Sequence, residues 1–218
     1  NYFILLLVLF GSCKSKQEDS LFTPIESTKT GLNFTNTLIP TTEFNLFSYM
    51  YYYNGAGVGA GDFNQDGKID LFFAANQQSN RLFLNKGQMQ FEDVTKLAEI
   101  PADGAWSTGV SVVDINNDGL LDIYICRVGR YKMLKGKNQL LVCTKIDEKG
   151  IPHYEDQATQ YGLDFSGFST QAAFLDYDGD GDLDLFLLNH SVNHDGNYAP
   201  RKNFENTFDS LAGQKFYR

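Results

Sequence analysis

The sequence predicts an all-β chain, a partial β-propeller of four-stranded antiparallel blades with about three blades in its 218 residues. Three observations predict it. An aspartate-rich nonapeptide occurs three times, as DFNQDGKID at 62–70, DINNDGLLD at 114–122 and DYDGDGDLD at 176–184. Apolar, strand-like runs flank each copy, and successive copies lie 52 and then 62 residues apart, a period that belongs to propellers and other repeat arrays. Two further short strand-like stretches follow in each of the first two units, NRLFLNKG with QFEDVT and NQLLVCTK with HYEDQAT. Four antiparallel strands per repeat make a propeller blade.

The elements follow in order. The apolar run in NYFILLLVLFGSC is too short to span a bilayer and has the length of a signal-peptide core. FGSC resembles the lipobox of bacterial lipoproteins, which makes 1–13 the signal, Cys13 the lipidated residue and KSKQEDS (14–20) a polar tether. An ordinary cleaved secretory signal is the alternative. Either way the protein is exported, and the lipobox reading puts it on a bacterial outer membrane or cell surface. The stretch LFTPIESTKTGLNF (21–34) resembles YEDQATQYGLDF (154–165) and is expected to give an outer strand to a closing blade, with residues up to 56 as lead-in. Blades are expected at about 57–95, 109–159 and 171–218, within a propeller region of 21–218. A ring needs about four to eight blades, so the chain reads as a piece of a longer protein.

Each nonapeptide sets oxygen-bearing side chains at positions 1, 3, 5 and 9, with a backbone carbonyl available at position 7. Calcium takes about six to eight oxygen ligands at roughly 2.3–2.6 Å, and this pattern supplies them. The first set is Asp62, Asn64, Asp66, the Lys68 carbonyl and Asp70. The second is Asp114, Asn116, Asp118, the Leu120 carbonyl and Asp122, and the third is Asp176, Asp178, Asp180, the Asp182 carbonyl and Asp184. Gly67, Gly119 and Gly181 at position 6 permit the tight reversal. Metal-free Asp-Gly hairpin turns are the plainer reading, but they leave the clustered carboxylates repelling one another. An EF-hand needs an acid at position 12, where this chain has Phe73, Ile125 and Leu187.

The formal charge is −9, from 18 basic and 27 acidic residues, and eleven of those acids lie in the nonapeptides. The acidity is mostly metal-site chemistry, and no basic patch of the kind nucleic-acid binding requires is present. Cys126 and Cys143 fall in strand-like runs of one repeat; a disulfide and two buried thiols are both open readings.

In such a blade the nonapeptides connect the first and second strands on one face. The connection between second and third strands lies on the other, and it lengthens from 77–80 to 128–137 and then 190–213. Loops on a rigid scaffold build binding surfaces, so Arg130, Tyr131, His190, His194, Tyr198 and Arg201 are candidate contacts for a glycan or protein ligand opposite the calcium loops. His190 and His194 as a zinc pair is disfavoured, because no third histidine is near. The aromatic run SYMYYYN (48–54) admits sugar stacking or packing between blades, and Trp106 and Phe168, at equivalent sites, point to repeated packing.

GAGDFNQDGKIDLFFAAN, RLFLNKGQMQFEDVT, WSTGVSVVDINNDGLLDIYI and GFSTQAAFLDYDGDGDLDLFLLNHS resemble the FG-GAP and VCBS-type repeats of calcium-binding propellers. They resemble more closely the bacterial secreted proteins related to cartilage acidic protein. The resemblance implies a calcium propeller and is poor for activity. The expected function is a surface-anchored binding or adhesion module. The alternatives are a polysaccharide lyase or hydrolase, for which no catalytic constellation is visible, and an architectural repeat in an envelope complex.

Overall fold

The computed structural model describes residues 21–191, 200, 202 and 205–218. The signal, the tether, Cys13, His194, Tyr198 and Arg201 lie outside the described residues. The chain is mostly β. In the first unit β1 (Val58–Gly61), β2 (Asp70–Phe73), β3 (Arg81–Gly87) and β4 (Gln90–Asp93) form an antiparallel meander. The second unit begins with β5 (Ser107–Val113) and β6 (Asp122–Arg127). A small hairpin of β7 (Gly129–Tyr131) and β8 (Leu134–Lys135) follows, then β9 (Gln139–Ile146) and β10 (Pro152–Asp156) complete the sheet. The third unit has β11 (Ser169–Leu175), β12 (Asp184–Asn189) and β13 (Lys215–Tyr217).

The strands read as they do because both faces of a sheet are covered. All six residues of β6 are buried. Ile123 and Ile125 pack toward the first sheet with Phe72, Leu82 and Leu84, whereas Tyr124 and Cys126 pack toward the third with Ala172, Leu185 and Leu187. The sheets therefore stack face to face. Cys126 and Cys143 are free thiols on opposite faces of the second sheet. They pack as small apolar groups, and burial pushes the Cys143 thiol up to about 11.

The first strands of the three units lie side by side. A side chain at Gly59 would come 2.9 Å from Val110 Cγ1 and 3.0 Å from Val112 Cγ2, so only glycine lets β1 approach β5 this closely. Thr108 Oγ1 donates to the Ser169 carbonyl at 2.8 Å, and Ser111 Oγ donates to the Ala172 carbonyl. These bonds join β5 to β11.

Three features add to the sequence expectation. Residues 21–26 pair with no strand among the described residues, and Ser27–Thr30 form a single helical turn, α1. That turn repeats the one that follows β10: Gly31 and Gly162 occupy matching left-handed positions, with φ of 76° and 69°. The local signal was therefore real, but a strand needs a partner strand to bond, and none is described beside it. The lengthened connection at 128–137 contains the β7–β8 hairpin. Finally, the lead-in folds over the face opposite the nonapeptides. Its Phe44, Tyr49 and Tyr52 are buried with Trp106, Val128 and Phe168, with ring centroids 5.1 Å apart for Phe44 and Trp106 and 5.6 Å for Tyr49 and Trp106. Packing accounts for these two tyrosines, while Tyr53 is exposed.

Candidate functional site

The three nonapeptides form the connections β1–β2, β5–β6 and β11–β12, so they share one face. Position 9 opens the second strand each time, and the register places it opposite the residue before position 1: Gly61↔Asp70, Val113↔Asp122 and Leu175↔Asp184. These aspartates are almost wholly buried. Asp70 Oδ2 accepts from the Phe63 amide at 2.9 Å, and its Oδ1 accepts from the Asn85 amide on β3 at 2.7 Å. Asp122 does the same with the Ile115 amide at 2.9 Å and the Cys143 amide at 2.8 Å. Each carboxylate thus ties its loop to the third strand of its sheet. Burial pushes both carboxyls up to about 6, against the pull of the amides, and the other loop aspartates add repulsion.

Asp184 differs. Its Oδ2 accepts from the Tyr177 amide at 2.8 Å, but its buried Oδ1 has no partner. In the other sheets that bond comes from the residue two beyond the strand-pairing partner; here Leu185 pairs with Tyr217, so the equivalent position falls just after Arg218.

Position 1 shapes each loop. Asp62 Oδ1 and Oδ2 accept from the Asp66 and Gly67 amides, and Asp114 accepts likewise from Asp118 and Gly119. Asp176 accepts from Gly179 and Gly181. Positions 4 and 6 both adopt left-handed backbone: Gln65, Asn117 and Gly179 at φ 58°, 56° and 75°, and Gly67, Gly119 and Gly181 at 82°, 84° and 94°. Sequence reading found the glycine at position 6 and missed position 4. An Asn or Gly there was the available signal, because those residues tolerate that conformation best.

Oxygens of Asp176, Asp178 and Asp184 lie within 4.8 Å of one another, the one such acidic group among the described residues. Separations of this size suit a shared ion with bonds of about 2.3–2.6 Å. The donor set is hard and anionic, which fits calcium or a similar cation. Burial and then Asp180 raise the Asp178 carboxyl, and Arg218 Nη2 approaches Asp178 Oδ2 at 2.5 Å. In the first loop Lys68 Nζ sits 2.9 Å from Asp66 Oδ2 and holds that carboxyl low. The first two loops have Asn64 and Asn116 where the third has Asp178, so they bring one carboxylate fewer to that point.

On the opposite face, Arg130 is exposed, but Tyr131 and His190 turn inward. Tyr131 OH donates to the Ser48 carbonyl at 2.7 Å. His190 stands 3.1 Å from both Tyr49 OH and Thr170 Oγ1, and burial pushes it down to about 4, so it is neutral. It borders a cavity of about 300 Å³ with Tyr49, Tyr51 and Thr108. A larger cavity of about 540 Å³ lies beside the second sheet, walled by Asp103, Arg127, the β7–β8 hairpin, Gln139 and Asp156. One recurrent role was missed at this end of the sheets. Asn80, Asn138 and Gln214 each accept, by side-chain oxygen, from the amide of Ala75, Arg127 and Asn189 at the close of the second strand.

Residues 62–125 match the family model described as FG-GAP-like repeat. The chain is 30% identical over 140 residues to cartilage acidic protein 1 of Xenopus tropicalis, which covers 62% of this chain and 21% of that protein. It is 30% identical over 142 residues to the Mus musculus protein of the same name, covering 62% and 20%. It is 27% identical over 100 residues to T-cell immunomodulatory protein of Rattus norvegicus, covering 46% and 15%. The matches therefore span about a fifth or less of the length of these relatives. The chain carries an FG-GAP-like repeat at residues 62–125 and is distantly similar to cartilage acidic protein 1 and T-cell immunomodulatory protein.

Proposed function

We propose that the three sheets are consecutive blades of a calcium-binding propeller, exported and held at a bacterial surface through a lipid on Cys13. It serves as a binding or adhesion module for a glycan or protein. The observation that carries the reading is the convergence of Asp176, Asp178 and Asp184 in a loop whose geometry recurs twice more. Face-to-face stacking supports the propeller. Phe72 and Tyr124, at one repeat position, are buried against the following sheet, whereas Phe186, their equivalent in β12, is 42% exposed. A further blade covering Phe186 and Leu188 completes that pattern.

Calcium would be structural, held by the carboxylates at positions 1, 5 and 9, the side-chain oxygen at 3 and the carbonyl at 7. A site filled at about 100 times its Kd stabilises the fold by about 2.7 kcal/mol. Calorimetric titration should find about three sites, and EDTA should lower Tm by several degrees. A Tm indifferent to both EDTA and added calcium overturns the reading. In Asp176→Ala the stoichiometry should fall by one.

Ligand binding falls to the face opposite the loops, where both cavities open. An enzymatic reading would draw on Tyr49 and His190 as proton carriers. Burial disfavours it: Tyr49 is raised well beyond the usual phenol range, and His190 is too weakly basic at neutral pH. Incubation with a polysaccharide panel separates the two, since binding without product release supports the module.

A further inference from the structure

The smaller cavity lies where β5 and β11 begin, and it differs from the larger one in charge. Apart from glycine and alanine its walls are Tyr49, Tyr51, Asn54, Thr108, Thr170 and His190, so no carboxylate, lysine or arginine borders it. Burial pushes His190 down to about 4, which leaves it neutral. An ion entering here would give up its water and meet no counter-charge. The larger cavity, by contrast, has Asp103, Asp156 and Asp164 facing Arg127, Lys135 and Lys137.

The inner polar groups of this cavity are already paired. A neutral imidazole accepts at one nitrogen and donates from the other, and His190 bridges Tyr49 OH and Thr170 Oγ1 at 3.1 Å each. Thr108 Oγ1 donates to the Ser169 carbonyl at 2.8 Å. The outer groups are free. Tyr51 is half-buried and Asn54 exposed, and neither the Tyr51 hydroxyl nor the Asn54 amide has a hydrogen-bond partner among the described residues. The Tyr51 hydroxyl, unlike that of Tyr52, is open to solvent. Edge contacts hold the Tyr51 ring in place, with centroids 4.4 Å from His190 and 5.9 Å from Tyr49. A phenol and an amide each donate and accept. The volume of about 300 Å³ stands at the lower end of the usual range for ligand pockets, about 300–1,000 Å³. A sugar ring offers apolar C–H faces and hydroxyl edges, which match an aromatic wall with free polar groups at its rim.

We infer that this cavity seats one neutral sugar unit of a glycan, packed against the Tyr51 ring and hydrogen-bonded to the Tyr51 hydroxyl and the Asn54 amide. The inference rests on the ligand-face reading above and names the ligand class at one site on that face. The experiment is NMR on the calcium-loaded chain, read by saturation transfer and by the ring resonances of His190. The probes are glucose, galactose, mannose and xylose, their β-linked disaccharides, and the corresponding uronates. At least one neutral saccharide should bind and shift the His190 resonances. Tyr51→Ala should weaken it about tenfold, and Asn54→Ala about threefold. Because the Asn54 side chain bonds to nothing in the fold, Asn54→Ala keeps the test decisive should Tyr51→Ala not fold. No neutral saccharide signal overturns the inference, and so does a preference for uronates. Saccharide binding that leaves His190 unmoved, or that is unchanged in either folded variant, removes this site and leaves the module reading standing. Calcium titration of the same samples separates these results from failure of the propeller reading, because retained calcium binding without a saccharide removes only this ligand.

Discussion

Asp122 and Asp184 hold the same place in consecutive repeats, yet one spends both oxygens on amides of its own sheet and the other spends only one. The two bonds made by Asp122, and the matching pair made by Asp70, show that position 9 serves the fold before it serves any ion. In the second sheet its carboxylate links the loop to β9; in the third it lies beside Asp176 and Asp178.

Replacing these residues should break the comparison open. Asp122→Ala strands two buried amides that each gave a charge-assisted hydrogen bond, for a loss of about 3–5 kcal/mol. Asp184→Ala should cost roughly half as much in calcium-free buffer, since it strands one. Urea denaturation in EDTA measures both, and equal losses would mean that the free oxygen of Asp184 has a partner in solution. With calcium present, the gap should narrow.

The pH dependence in EDTA is the next largest effect. The folded-state pKa of Asp70 and Asp122, about 6, lies above the ordinary value near 4. Their contribution to stability is therefore fully present below about pH 4 and is lost as the pH rises through about 6. His190 acts in the opposite sense. Its pKa, pushed down to about 4, makes its contribution present above about pH 6.5 and lost as the pH falls through about 4. His190→Gln should thus gain in Tm relative to the parent protein as the pH falls from about 6.5 to about 4.5. A constant difference across that window would show that His190 titrates normally. With calcium added, affinity should weaken below about pH 6, because protons compete with the ion for Asp70 and Asp122.

The smallest effects test the loop backbone. Asn117 adopts φ 56°, so Asn117→Gly should be neutral or stabilising by up to about 1 kcal/mol, whereas Gly119→Ala, at φ 84°, should cost about 1–2 kcal/mol. Equal thermal shifts for both would mean that the loop relaxes into another conformation.

The repeat was legible in the sequence because its signals are local and periodic. An Asp-rich loop between apolar runs fixes two strands and a turn, and three copies fix the register of the whole set. The missing pieces depend on distant partners. Residues 21–26 have strand-like counterparts in the repeat but form no strand among the described residues. Tyr49 and His190 lie 141 residues apart in the chain and meet only because the lead-in crosses three units. The caps from Asn80, Asn138 and Gln214 were missed because an Asn or Gln after a turn carries no distinctive pattern. Of the candidate ligands, the Asp side chains at positions 1 and 9 have a defined geometric role in all three loops.

The hub has a consequence for size. With no side chain on Gly59 to hold β1 away from Val110 and Val112, the angular step between the first two sheets is set by bare main chain against two methyl groups. In the ring proposed above, one added carbon at this inner end would bring the two sheets nearer to parallel, and a smaller step leaves room for more sectors around the circle. In such a ring, a few atoms at the centre would thereby govern how many repeats the perimeter can hold.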